Sequence, residues 1–393
     1  MEPFLGILIR KERLKQNLSQ EGLCKGICVV SYVSKIEKGQ ADASPEIISA
    51  LLQQLGISYE TDPSFLKQAQ TLIGQLYEKL YSYTLKEEDL REIRQENSRY
   101  LSSKYMLDAL LLLCSFPEGE RKPAPLLEEL QEYAPCMAKR QYELYLYYLC
   151  LEGKEPFDKL LKLTANSFFL IQAGVWHWTK GDYMQAAELL SKGYSAACEE
   201  GNIYNMLEAK ATLGNCYSSM DSPGSREMMM RQYQVAERIA QALGAEACIQ
   251  DIYYNIGATS LEWGETDLAE AYFQKCTSQS IWYYHKYAIC KEKQGKRKEA
   301  LALLLQGREK IPNEPGDVSR ELEEIYDVVE YRLRHEGYQE DPQYETLLRT
   351  CMKHLGERFP KSYQKFHVPF LIEVLERQRK YKEICEWMRE FPG

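Results

Sequence analysis

Apolar residues recur along this chain at intervals of three and four, the spacing of one helix face, and no stretch alternates convincingly as a strand would. Leu5, Leu8 and Ile9 mark the inner side of a first helix predicted from about Pro3, a natural first-turn residue, to Gln16. Ser19 is a good N-cap for a short second helix that carries Leu23 inward, and Gly26 interrupts it. A third helix follows from about Val29 to Lys38 and stops at Gly39, the residue best able to take a left-handed conformation. Within it Val33 and Ile36 are three apart and face inward, which leaves Ser31, Tyr32 and Lys35 on other sides. Ser44 before Pro45 opens a strongly apolar helix through Ile47, Ile48, Leu51, Leu52 and Leu55, closed by Gly56. Together these predict a compact domain over residues 1–57, a linker over 58–64 that holds the domain close, and a second domain over 65–393.

From Phe65 onward helix follows helix, with starts near 65, 87, 101, 125 and 138 punctuated by Pro117, Pro123, Pro135 and the Gly153–Pro156 turn. A repeat then emerges, clearest over about 167–312. Small residues at Gly174, Gly214, Gly257 and Ala288 are spaced by 40, 43 and 31 residues, near the tetratricopeptide (TPR) period of about 34. Small residues let one helix of a pair approach the other, and aromatics fill the gaps between repeats. Asp221-Ser222-Pro223-Gly224 loosens one turn of the pattern. Beyond 317, Pro342, Pro360 and Pro369 are expected to break the helices, and a last helix over Arg379-Lys380-Tyr381 to Phe391-Pro392 reads as a cap. The fold class is therefore all-α, a small helical head followed by a TPR-like α-solenoid.

Charge divides along the same line. The whole chain carries −9, yet residues 1–40 hold seven Lys and Arg against four acids, a net of +3, so the remainder carries −12. A small basic head on a large acidic body suits DNA binding by the head alone. Twelve cysteines show no Cys-x-x-Cys pair and sit mostly on apolar helical stretches, which predicts reduced thiols in the cytoplasm. No signal-peptide pattern opens the chain, and the longest apolar run, Leu107 to Cys114, is too short to cross a bilayer, so no membrane partner is expected. The five histidines have no metal-ligand spacing, and no phosphate loop, nucleophile elbow or carboxylate pair stands in a recognisable context. Neither an enzyme nor a cofactor is expected.

Leu5-Gly6, Ile9-Arg10, Leu18-Ser19-Gln20 and Ser34-Lys35-Ile36-Glu37-Lys38-Gly39 resemble the helix-turn-helix of phage-repressor-type (XRE) regulators. The Gly26-Ile27-Cys28 turn followed by Ser31-Tyr32-Val33-Ser34-Lys35 is similar to peptide-responsive quorum-sensing regulators of the Rgg and PlcR (RRNPP) type. The resemblance is tight over about 57 residues and rests on pattern afterwards. That family commonly has a polar residue where this chain has Val29. The resemblance implies a DNA-binding transcription regulator whose TPR body senses a short signalling peptide. It further implies a homodimer on paired half-sites of a double-stranded operator, and a pairing of Arg10 with Glu37. A rival reading gives the TPR body a protein partner, such as an enzyme or phosphatase, in place of the peptide.

The candidate DNA contacts are Ser19, Gln20, Val30, Ser31, Tyr32 and Lys35, with Gln20, Ser31 and Tyr32 approaching bases and Ser19 and Lys35 holding phosphates. The candidate peptide contacts are Gln172, Trp178, Asn215, Tyr254, Asn255 and His285, on the first helices of successive pairs. An amide offers one peptide unit both a donor and an acceptor, which suits Asn215 and Asn255 to grip an extended backbone. A hydrogen bond between helices is the alternative use of the same side chains. For the tyrosines and tryptophan, core packing is the competing role. The acidic body predicts a groove that favours a free amino terminus or a basic residue.

Overall fold

The computed structural model describes residues 2–116, 124–220, 222, 224–313, 319–359 and 361–391. Its ordered elements are α-helices and short 3-10 turns, and they divide into two compact units, Met1–Phe169 and Leu170–Gly393.

The first unit begins with α1 (Leu5–Lys15), α2 (Gln20–Cys24), α3 (Val30–Glu37) and α4 (Pro45–Gln54). Leu5, Ile9, Leu23, Val33, Ile36, Leu51 and Leu52 are buried in one core, as the spacing predicts. The Ser19 side chain accepts a hydrogen bond from the Gly22 amide and caps α2. Gly26 (φ +80°) and Gly39 (φ +66°) close α2 and α3 in the left-handed region. Gly6 is needed for close approach instead. A methyl group there would run into the Ile36 carbonyl, so α1 and the end of α3 meet backbone to backbone.

The same unit continues with α5 (Pro63–Tyr81), α6 (Arg91–Gln95), α7 (Asn97–Leu101), α8 (Met106–Leu113), α9 (Ala124–Gln131), α10 (Lys139–Leu151) and α11 (Phe157–Leu161). Pro117 and Pro123, read as helix breaks, lie outside the described residues. The segment before α5 is tied down. The Glu60 amide donates to the Ser102 carbonyl (2.8 Å), Arg99 Nε to Glu60 Oε2 (2.6 Å), and the Arg99 guanidinium covers the Phe65 ring. Much of the interior is aromatic: Tyr81 and Tyr147 both pack edge-on or tilted against Phe168 and Phe169.

The division between units falls within α12 (Ser167–Thr179). The second unit then adds α13 (Tyr183–Glu200), α14 (Ile203–Ser219), α15 (Ser225–Leu243), α16 (Glu246–Glu262), α17 (Thr266–Phe273), α18 (Ile281–Lys293) and α19 (Arg297–Arg308). It ends with α20 (Ser319–Arg334), α21 (Pro342–Arg358), α22 (Lys361–Arg377) and α23 (Tyr381–Glu390). From α13 to α23 each helix packs on the next in sequence, the arrangement of a helical-repeat solenoid. The small residues sit where the pairs touch. A Cβ at Gly174 would lie 2.6 Å from Leu190, one at Gly257 would lie 2.9 Å from Phe273, and one at Gly214 would enter the Tyr233 ring. Ala288 is fully buried. Asp221, Pro223 and Pro360, read as turn or break residues, lie outside the described residues.

Pro369 corrects the sequence reading, because α22 runs through it. Proline removes one amide hydrogen bond and crowds the preceding turn, which costs roughly 3 kcal/mol in a free helix. Here Leu371, Val374 and Leu375 are completely buried on the same helix, and tertiary packing overrides the local cost.

Candidate functional site

The head presents the outer side of α3. Ser31 and Lys35 are exposed, Tyr32 is half-buried, and its phenol reaches the Asp42 carbonyl at 3.4 Å. Val29 and Val30 are 67% and 41% exposed at the start of the helix. No side chain caps α3 at Val29; the Tyr32 amide turns to the Val29 carbonyl (2.9 Å) instead of a capping side chain. Ser19 is exposed and engaged as the α2 cap, while Gln20 is half-buried and donates to Glu37 Oε2 at 2.8 Å.

The buried ion pair of the head is Arg13–Glu37, not the expected Arg10–Glu37. Arg13 Nε and Nη2 donate to the two Glu37 oxygens at 2.6 and 2.9 Å, and Nη1 donates to the Leu18 carbonyl. The reason is helical phase. Arg13 is four residues beyond Ile9 and shares its inward face, whereas Arg10 is rotated about 100° away and stays exposed. Burial acts to raise the Glu37 pKa, but the hydrogen bonds from Arg13 and Gln20 prevail and hold it below the ordinary glutamate value. This pair fixes the angle between α1, α2 and α3, and its sequence signal was the Ile9–Arg13 spacing.

In the second unit, four of the six predicted peptide contacts line one cavity of about 280 Å³: Trp178, Asn215, Tyr254 and Asn255. They come from α12, α14 and α16, the first helices of successive pairs, and α18 adds Lys286 while α22 adds Tyr363 and Lys365. Asn215 Oδ1 accepts from Tyr233 Oη (2.6 Å) and from Asn255 Nδ2 (3.0 Å). The two amides are therefore joined between helices. Among the described residues, the Asn215 NH₂ group and the Asn255 carbonyl oxygen make no hydrogen bond, and both residues are half-buried in the cavity lining. One donor and one acceptor on a fixed mutual bond form a complement to a single peptide unit. Trp178 is held by its indole N–H on Ser219 (3.3 Å), and Tyr254 packs against Phe273.

His285 is not part of this lining. It is 1% exposed, between Tyr326, Phe366 and His367, and burial first, with the neighbouring cations, pushes its pKa well down. It is a neutral core residue. Gln172 sits on α12 six residues before Trp178 and is also outside the lining. Sequence reasoning missed Lys286 and Lys365. Lys286 reaches the cavity from an otherwise buried position, where desolvation lowers its pKa to about 8 despite Glu262 at 3.3 Å.

Among the described residues, no helix is long and apolar enough to cross a membrane. Residues 9–61 match the helix-turn-helix family. No curated protein matches the chain. Among solved structures, a Rap protein complexed with competence and sporulation factor is 12% identical, with a TM-score of 0.61 over 83% of this chain and 97% of that one. PlcR of Bacillus thuringiensis, in complex with the peptide PapR7 and DNA, is 15% identical over 64% of this chain and 99% of that one, with a TM-score of 0.38. A PrgX mutant is 12% identical over 95% of each chain, with a TM-score of 0.18. The Rap likeness shows a shared helical fold. The head, by its own match, is a helix-turn-helix domain of the XRE type.

Proposed function

We propose that this protein is a cytoplasmic, sequence-specific transcription regulator whose helical-repeat body takes a short peptide and whose working form is a homodimer. The observation that carries the reading is the Asn215–Asn255 pair, with one donor and one acceptor left over in a cavity lined by successive first helices. A chain that joins such a groove to a helix-turn-helix head has the parts of a ligand-controlled DNA binder rather than of a catalyst. In the head, Ser31, Val30 and Tyr32 meet bases, Lys35 and Ser19 meet phosphates, and Gln20 divides its amide between Glu37 and a base.

The test has two steps. The full chain selects an operator from random duplex DNA. Lys35→Ala then weakens binding to every sequence and lowers the salt slope by about one, whereas Ser31→Ala relaxes one base position by about 1–3 kcal/mol. Heptapeptide pools are next added to the operator complex. A pool that binds the protein and alters operator affinity supports the reading. Failure to select any sequence removes the DNA half, and failure of every pool to bind favours the protein-partner alternative.

A further inference from the structure

A second cavity, of about 600 Å³, adjoins the first, and Ser219 and Lys365 belong to both linings. Its walls come from the α12–α13 turn, the start of α22 and the end of α23. Four cations reach it, Lys180, Lys361, Lys365 and Arg389, against two carboxylates, Asp182 and Glu390. Asp182 is already engaged, capping α13 through the Gln185 amide and facing His177 Nδ1 at 3.0 Å. Lys361 and Arg389 are exposed and form no ion pair among the described residues. The buried cations of the unit are matched instead: Arg332 forks onto Glu292 and Lys291 sits between Glu270 and Glu299. Four cations gathered in one cleft, in a chain of net charge −9, run against the prevailing sign.

We infer that the groove is built for an acidic peptide: its backbone lies on Asn215 and Asn255, and a carboxylate of the ligand is received by Lys361, Lys365 and Arg389 in the adjoining cleft. The inference rests on the peptide-binding reading and specifies the ligand's chemistry. It reverses the preference that net charge predicts, for a stated reason. At physiological salt the field of exposed charges fades within about 8 Å, so a bound ligand feels the lining and not the distant acidic surface. Like charges held together repel one another, and an anion between them relieves that repulsion while gaining charge-assisted hydrogen bonds. The carboxylate is an Asp or Glu side chain or the peptide's own C-terminus, which present the same chemistry.

The experiment uses three fluorescein-labelled heptapeptide pools of matched apolar content and net charge −2, 0 and +2, titrated with the full chain at physiological salt and read by polarisation. The −2 pool is expected to bind at least about tenfold more tightly than the +2 pool. In the Lys361→Ala, Arg389→Ala variant its affinity falls to that of the neutral pool, with the melting temperature unchanged because both side chains are exposed. Lys361→Glu with Arg389→Glu inverts the order. Amidation of the −2 pool assigns the carboxylate: loss of the preference identifies the terminus, and retention identifies a side chain. Binding of all pools without charge preference, or a preference that both variants leave intact, overturns the inference and spares the peptide reading. Binding of no pool overturns both.

Discussion

At the scale of single residues, two polar contacts play unlike parts. Arg13 and Glu37 are 8% and 5% exposed and satisfy each other's hydrogen-bonding capacity in the middle of the head. Removing one partner strands the other as a buried charge, so Glu37→Gln is expected to cost about 3–5 kcal/mol by denaturant unfolding of the head. Arg10→Ala, at the position first expected to form this pair, should stay within about 0.5 kcal/mol. Because the folded pKa of Glu37 is lowered, its contribution is complete above the unfolded carboxyl value near pH 4 and disappears as pH falls through the folded value. The wild-type head should lose stability over that acid range, and the Glu37→Gln head should lose less. Asn215 is a poorer target than Asn255 for testing the groove. Its truncation leaves the phenol of Tyr233, 1% exposed, without its acceptor, at about 1–3 kcal/mol. Asn255→Ala spares that bond and should reduce peptide affinity with little change in melting temperature, as calorimetry alongside thermal unfolding will show.

At the scale of the element, α3 trades stability for contact. Val29 and Val30 expose apolar surface where the helix begins, and the first amides have no side-chain acceptor. In a major groove the only apolar feature on a base edge is the thymine methyl. The expected outcome is that deoxyuridine in place of one operator thymine lowers wild-type affinity by about fourfold, the value of one buried methyl group. Val29→Ser should raise head stability by about 0.5–1 kcal/mol through the restored cap and should abolish the deoxyuridine penalty where that methyl meets Val29. An anisotropy titration with both duplexes decides it. A penalty equal in both proteins would assign the methyl contact elsewhere. Elements were the most legible level of this fold in the sequence, because their signals are local: the Ser19 cap, Gly39 after α3, and the small residues at 174, 214, 257 and 288. Arg10 was mistaken for Arg13 because the three-residue step between them leaves about 60° of helical phase, enough to decide which cation turns inward. Pro369 was mistaken for a break because the local rule says nothing of the packing that holds α22 together.

At the scale of the molecule, the groove was only half legible. Asn215 follows Gly214 and Asn255 stands two before Gly257, so their closeness to the repeat's small residues put both on first helices, and both line one cavity. The cations of the adjoining cleft arrive from segments about 180 to 210 residues apart, Lys180 in the α12–α13 turn and Lys361 and Arg389 near the end of the chain, and no periodic pattern joins them. The same limit applies to assembly, which must be tested on DNA. One recognition helix reads three or four base pairs, too few to specify a site, so a homodimer on two half-sites about one helical turn apart is expected. Inserting five base pairs between the half-sites of the selected operator puts the second on the opposite side of the duplex, and affinity should fall to that of a single half-site. Inserting ten restores the shared face, and affinity should partly recover. A peptide that shifts this equilibrium does so only by its difference in affinity between two arrangements of the protein, and linkage requires the operator to change peptide affinity by the same factor. Anisotropy titrations in both directions measure that factor twice. Agreement of the two values, together with the periodic dependence on spacing, is the result expected of a dimeric, peptide-controlled regulator. Binding indifferent to spacing would mean that each head acts alone.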